Sequence, residues 1–174
     1  IIAFATVWKN RWWGVSASTT NRLMFSQLYL PEAWPPLYYL DIPFERGDKI
    51  RALVPMGDVM VVFGYTQAFL IIGQTPIEFA VRPAMGIPEG CFGFRAFAKI
   101  EDGIVHAGAS GVYLFDGQTD KRLSDDLLPA WQDLIQHTSL ATLQRTAIVY
   151  DRQRKEVRVA VARKYPTGQP GEFC

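Results

Sequence analysis

The sequence predicts an all-β protein made of β-propeller blades, each a sheet of four antiparallel strands, together with one short helix. Residues 51–75 and 95–119 align without a gap and share nine identical pairs at a constant offset of 44 residues. A period of this length is typical of repeat architectures. Short apolar runs alternate with turns rich in Gly, Pro, Asn and Asp, which indicates many short strands. The aromatic content of 13% suits sheets that pack over broad, flat surfaces.

The identities of the repeat fall mostly at turns and at the start of the first strand. Turn positions are constrained by backbone geometry, so their repetition indicates two hairpin pairs of the same design. The matching pairs are Arg51 and Arg95, Ala52 and Ala96, Asp58 and Asp102, Val61 and Val105, Gly64 and Gly108, Leu70 and Leu114, and residues 73–75 with 117–119.

Four segments of the chain each predict a blade. The runs 59–63 and 68–72 contain no polar residue, so the sheet that holds them must be covered on both faces. The predicted blades cover approximately residues 3–42, 50–82, 95–124 and 145–174. The predicted strands are 4–8, 11–17, 22–26, 38–42, 52–54, 59–63, 68–72, 77–81, 97–99, 104–107, 112–115, 121–124, 146–150 and 156–162.

About three and a half blades do not close a ring, because propellers contain roughly four to eight blades. We therefore expect residues 1–174 to form one propeller-like domain that is part of a larger propeller, or that closes by self-association. The apolar start of the chain continues directly into Trp8-Lys9-Asn10 and predicts a strand, since no basic leader precedes it.

A short amphipathic helix is predicted over residues 125–136, with Ser124-Asp125-Asp126 as its start, because apolar residues recur there at helical spacing. The prolines of the excursion over residues 29–36 exclude a central strand and predict an ordered surface loop. The predicted interaction surface combines that loop with the helix and consists of Pro31, Trp34, Pro35 and Trp131.

The composition argues against several classes of function. With 18 basic and 17 acidic residues, the net charge of +1 gives no electrostatic case for binding nucleic acid or an anionic membrane. No apolar run approaches the roughly 18 residues that a membrane-spanning helix requires. We expect no membrane partner.

No pattern in the sequence predicts catalysis. Nucleophile, zinc-protease and phosphate-loop motifs are absent. His106 lies inside an apolar strand and is interpreted as a satisfied core or channel-facing residue. Cys91 and Cys174 are far apart and follow no metal spacing. Asp125 and Asp126 are better explained by the helix start than by coupled carboxylates. We expect no enzyme activity, no metal and no cofactor.

Short sequences along the chain resemble the propeller proteins of tailed-phage virions, of the tail-nozzle or packaged-DNA-stabilising type. The resemblance covers roughly residues 8–135. Its motifs are NRLMFS at 21–26, PEAW at 31–34, GDKIRAL at 47–53, GDVMVVF at 57–63 and GVYLFDG at 111–117.

The resemblance implies a structural component of a phage tail or head-to-tail connector. Such a protein forms a homo-oligomeric ring around the channel through which DNA leaves, without sequence-specific binding. It implies other tail or portal proteins as partners, assembly in the host cytoplasm and a place in the virion tail.

Two other functions remain open from the residues alone. A cellular propeller would serve as a protein-interaction scaffold, with the proline-rich loop and Trp34 as its docking edge. A carbohydrate-binding or hydrolytic propeller would use aromatic side chains at its mouth, and Trp12, Trp13 and Tyr65 are the candidates for stacking on sugars.

Overall fold

The computed structural model describes residues 1–45 and 47–162, in which three four-stranded antiparallel sheets and one two-stranded sheet follow one another along the chain. Sheet I consists of β1 Ile2–Trp8, β2 Arg11–Ser16, β3 Arg22–Phe25 and β4 Tyr39–Asp41, and sheet II of β5 Ala52–Met56, β6 Val59–Phe63, β7 Ala68–Ile72 and β8 Ala80–Pro83. Sheet III consists of β9 Phe97–Ile100, β10 Gly103–Gly108, β11 Gly111–Phe115 and β12 Asp120–Arg122. Sheet IV consists of β13 Ala147–Asp151 and β14 Glu156–Ala160.

The prediction of a mostly β protein with four-stranded antiparallel sheets is confirmed. Within sheets I, II and III the strand order is the sequence order, so each sheet is a simple meander. The last part of the fourth predicted blade, residues 163–174, lies outside the described residues. Sheet IV is therefore described only as the hairpin of β13 and β14.

The first hairpin shows how local sequence determines a turn. Lys9 and Asn10 both have positive φ, 49° and 57°, and join the paired residues Trp8 and Arg11. Two consecutive residues with positive φ match the right-handed twist of the flanking strands, and Asn adopts this conformation readily. The predicted turn is thus present.

The fourth strand of sheet II was predicted at residues 77–81, and this is wrong by about three residues. The Glu78 carboxylate accepts hydrogen bonds from the backbone amides of Gln74 and Thr75, at 3.1 and 3.2 Å. These bonds fold residues 74–78 into a turn and leave Ile77 97% exposed. The strand β8 therefore begins only at Ala80.

The helical region also differs from its prediction. Asp125–Leu127 form a 3₁₀ turn, and α1 spans Leu128–His137. Ser124 does not cap this region, because its hydroxyl accepts a hydrogen bond from the Val112 amide at 3.0 Å. A second helix, α2 (Leu140–Leu143), was not predicted, and four residues are too short for a periodic signal.

Sheet II is buried on both faces, as its apolar runs required. Along β6, Met60 and Val62 join the core shared with sheet I, whereas Val61 and Phe63 join the core shared with sheet III. All four side chains are 0% exposed. Because successive side chains of a strand point to opposite faces, one strand supplies both interfaces.

A carboxylate holds the turn between the second and third strands in both sheet II and sheet III. The Asp48 carboxylate accepts from the backbone amides of Tyr65 and Thr66, at 2.7 and 2.9 Å. In sheet III the Glu89 carboxylate accepts from the Ser110 amide at 2.9 Å, and also from the Ser110 hydroxyl. Ser110 and Thr66 are separated by the repeat offset, so the arrangement repeats.

The repeated glycines leave room for these carboxylates. A Cβ on Gly64 would lie 2.6 Å from an Asp48 carboxylate oxygen, and a Cβ on Gly108 would lie 2.8 Å from a Glu89 carboxylate oxygen. Both distances are too short for a side chain, so close approach explains why glycine recurs at this position.

Replacing Gly73 with alanine should destabilise the fold more than replacing Gly57. Both residues have positive φ. A Cβ on Gly73 would lie 2.5 Å from the Glu78 carbonyl oxygen, whereas a Cβ on Gly57 would have no neighbouring heavy atom within 4 Å. We expect Gly57→Ala to lower the free energy of unfolding by about 1 kcal/mol and Gly73→Ala by about 3 kcal/mol. Urea unfolding measures both, and equal losses would contradict the assigned clash.

Candidate interaction surface

The predicted proline loop lies between β3 and β4 and is held by its own hydrogen bonds. The Trp34 indole Nε1 donates to the Pro31 carbonyl at 2.6 Å, and the Gln27 amide donates to the Ala33 carbonyl at 2.8 Å. Pro31 is exposed, whereas Trp34 and Pro35 are half-buried. The loop is thus a well-defined part of the surface, and its role in binding stays a prediction.

Trp131 does not belong to that surface, which corrects the prediction. Its side chain is 7% exposed, and its Nε1 donates to the Gly108 carbonyl at 3.2 Å. The indole also stacks on the Phe92 ring, with 6.1 Å between centroids. Trp131 therefore fixes α1 against sheet III. Helical spacing identified an apolar face on α1 but could not say that the core covers it.

A second apolar surface, which sequence reasoning missed, lies on sheet I. Val7 and Trp12 are paired across β1 and β2 and are 52% and 43% exposed. The Tyr29 amide donates to the Asn10 carbonyl at 3.0 Å, which brings the exposed residues Leu28, Tyr29 and Leu30 beside this hairpin. We call Val7, Trp12, Leu28, Tyr29 and Leu30 the Trp12 surface.

The strand register shows why an exposed Trp12 is unusual for this fold. Trp12, Met60 and Ile104 are each the second residue of the second strand in their sheets. Met60 and Ile104 are 0% exposed, whereas Trp12 is 43% exposed. Met60 is buried in the core that sheets I and II share. The same position is therefore apolar in all three sheets. In sheet I, however, no other sheet within the described residues covers it.

His106 is a buried structural residue, in agreement with its interpretation as a satisfied core histidine. Its Nε2 lies 3.0 Å from both carboxylate oxygens of Asp120, and its Nδ1 lies 3.2 Å from the Gly90 carbonyl oxygen. The side chains of His106 and Asp120 are both 0% exposed. A substrate cannot reach this pair. Sequence reasoning did not identify Asp120 as the partner, because β10 and β12 come near each other only through their pairing with β11.

Cys91 is likewise enclosed. Its Sγ lies 3.4 and 3.3 Å from the carbonyl oxygens of Gly93 and Ala96, and the residue is 0% exposed. Burial raises the pKa of the Cys91 thiol to about 12. Because the thiolate is the nucleophilic form, this cysteine has no activated character.

Comparisons with known proteins add no family to these observations. No protein-family model and no curated protein matches this sequence.

Among residues 1–45 and 47–162, no three His, Cys, Asp or Glu side chains come together in a way that could hold a metal ion. None of the helices in that same part of the chain is both long and apolar enough to cross a membrane.

We expect Cys91 to resist alkylation in the folded protein. With a pKa of about 12, roughly one thiol in ten thousand is ionised at pH 8, and the surrounding chain also excludes the reagent. Iodoacetamide labelling of a Cys174→Ser variant, followed by mass spectrometry, isolates this residue. The urea-unfolded variant is the control and should label fully. Equal labelling rates in the folded and unfolded states would contradict the enclosed thiol.

Proposed function

We propose that sheets I, II and III are blades of a β-propeller and that sheet IV begins the next blade. Support comes from the first strands, since β1 contacts β5 and β9 contacts β13. The Ile148 amide in β13 donates to the Arg95 carbonyl at 2.9 Å, immediately before β9. First strands that lie side by side are what a common propeller axis requires.

The hairpin tips of neighbouring sheets also meet, which supports the same arrangement. The Trp8 indole Nε1 donates to the Gly57 carbonyl at 3.0 Å, and the Lys9 ammonium donates to the Gly73 carbonyl at 2.7 Å. Between sheets III and IV, the Tyr150 hydroxyl donates to the Glu101 carboxylate at 2.6 Å. Each of these bonds joins one sheet to the next along the chain.

We propose that the protein is a structural component of a phage tail or head-to-tail connector, in which several copies form a ring around the DNA exit channel. The Trp12 surface carries this proposal. An apolar sheet face at a position buried elsewhere in the fold favours association, because covering it removes apolar area from water. Other tail or portal proteins are the proposed partners, in a virion assembled in the host cytoplasm.

The net charge is compatible with a channel that DNA passes without sequence-specific binding. The net charge is +1, so the protein as a whole does not hold DNA through long-range attraction.

The alternative function is a cellular interaction scaffold, which the exposed Pro31 and the ordered Trp34 loop favour. Recognition through sugar stacking finds less support. Trp13 is 0% exposed, whereas Trp12 points to the opposite face of sheet I. Of the three candidates Trp12, Trp13 and Tyr65, the first two therefore cannot stack on one sugar together.

Substituting Trp12 with glutamate should prevent self-association. Trp12 is partly exposed in the single chain, so the folded protein tolerates the change, but a carboxylate in an apolar interface is costly. Native mass spectrometry and sedimentation should show a ring-sized species for the original protein and a smaller one for Trp12→Glu. Lys121→Glu, an exposed substitution on β12, is the matched control and should still assemble.

A strictly monomeric original protein that also fails to join tail or portal proteins would overturn the proposed function. A monomer that binds unrelated proline-recognising or signalling proteins through the Pro31 loop would favour the scaffold instead. Thermal unfolding of Trp12→Glu checks that a lost assembly does not reflect a lost fold.

A further inference from the structure

A cleft with a volume of about 270 Å³ lies where the first strands of the four sheets begin. Phe4 lies in β1, Arg51 immediately precedes β5, and Phe94 and Gln144 lie shortly before β9 and β13. We call this cavity the strand-start cleft. It lies apart from the Trp12 surface, and nothing in the proposed structural role uses it.

The charged residues that line the cleft are both cationic. Lys49 and Arg51 face it, and no carboxylate side chain does so within the described part of the chain. The Arg51 Nε is buried and has no hydrogen-bond partner there. Arg51 as a whole is half-buried and lines the cleft, so an anion that binds here offsets the cost of holding a guanidinium with an unpartnered nitrogen.

The neighbouring carboxylates make other contacts and do not pair directly with these cations. Asp48 is the nearest acidic residue in the chain, but its carboxylate holds the turn after β6 and also accepts from the Lys49 backbone amide at 2.7 Å. Asp48 and Glu45 line the adjoining cleft, which shares Arg51 with this one. In residues 1–45 and 47–162, no carboxylate lies within ion-pair distance of Lys49 or Arg51.

One wall of the cleft is aromatic. Phe4 and Phe94 stack with 5.9 Å between ring centroids and an angle of 21° between ring planes. Phe94 is 51% exposed, and the Arg95 guanidinium lies 5.2 Å from the centre of its ring. An aromatic ring system can pack against such a wall, and Arg95 places a third cation over the Phe94 ring.

We propose that the strand-start cleft binds a single nucleotide unit, that is, a phosphate joined to a flat aromatic base. Lys49 and Arg51 hold the phosphate, and Phe4 with Phe94 supports the base. Cations beside exposed aromatic rings are the combination with which proteins bind unpaired nucleotides. The cleft volume of about 270 Å³ falls just below the range of about 300–1,000 Å³ typical of ligand pockets, which limits the ligand to a single small unit. A free nucleotide and an unpaired nucleotide of single-stranded DNA carry the same chemistry.

Isothermal titration calorimetry with the 174-residue chain tests this site. The probes are deoxyadenosine monophosphate, a short oligodeoxythymidylate and inorganic phosphate. We expect Arg51→Gln and Lys49→Gln each to weaken binding of all three, by about tenfold for the nucleotide. Phe94→Ala should weaken nucleotide binding about tenfold and leave phosphate binding unchanged. Lys121→Gln is the matched control and should bind as the original protein does.

The two sources of the ligand give different results. Tighter binding of the oligonucleotide than of the nucleotide assigns the site to single-stranded DNA, and the reverse order assigns it to a free nucleotide. The proposal is overturned if neither the nucleotide nor the oligonucleotide binds at millimolar concentration. It is also overturned if the original protein, Lys49→Gln and Phe94→Ala bind the nucleotide equally well. Lys49 and Phe94 are not buried, so these two variants keep the test valid if Arg51→Gln does not fold. Self-association measured on the same samples distinguishes a failure here from a failure of the ring proposal.

Discussion

Burial of sheet II on both faces is the constraint on which the remaining structure depends. Ala52 and Val54 pack toward sheet III, whereas Leu53 between them packs toward sheet I. A sheet made this way cannot be stable in water alone, because either exposed face would leave apolar side chains unburied. The strands of sheet II therefore require two neighbouring sheets, and the chain supplies one before it and one after it.

Tight connections make that stacking possible. The segments that lead into sheets II and III pass close to the ends of β6 and β10, where Gly64 and Gly108 leave space for a carboxylate. Asp48 and Glu89 use that space to satisfy turn amides that would otherwise lack partners. The residues that are identical in the 44-residue repeat are thus explained by backbone geometry. They account for the fold and do not indicate a ligand-binding site.

Groups that first suggest chemistry are enclosed, and the surfaces left open are those that do not repeat. His106, Asp120 and Cys91 have no exposed side-chain surface. Trp12 has no counterpart among the exposed residues of sheets II and III, and the Phe4 and Phe94 wall occurs once in the described chain. Association and ligand binding are therefore proposed at sites where one sheet departs from the pattern of the others.

The sequence by itself determined most of the strands, most turns and the repeated meander, because these depend on local backbone preference and on alternation along one strand. It also predicted that β6 must be covered on both faces. Tertiary structure alone decided which apolar residues are buried: Trp131 lies in the core, whereas Trp12 is exposed, although both are tryptophans in apolar patterns. It also decided the partner of His106 and the meeting of Lys49, Arg51 and Phe94 in one cleft. Local periodicity indicates which face of its helix or strand a residue occupies. Only the packing of helices and strands that are distant in sequence determines what that residue contacts.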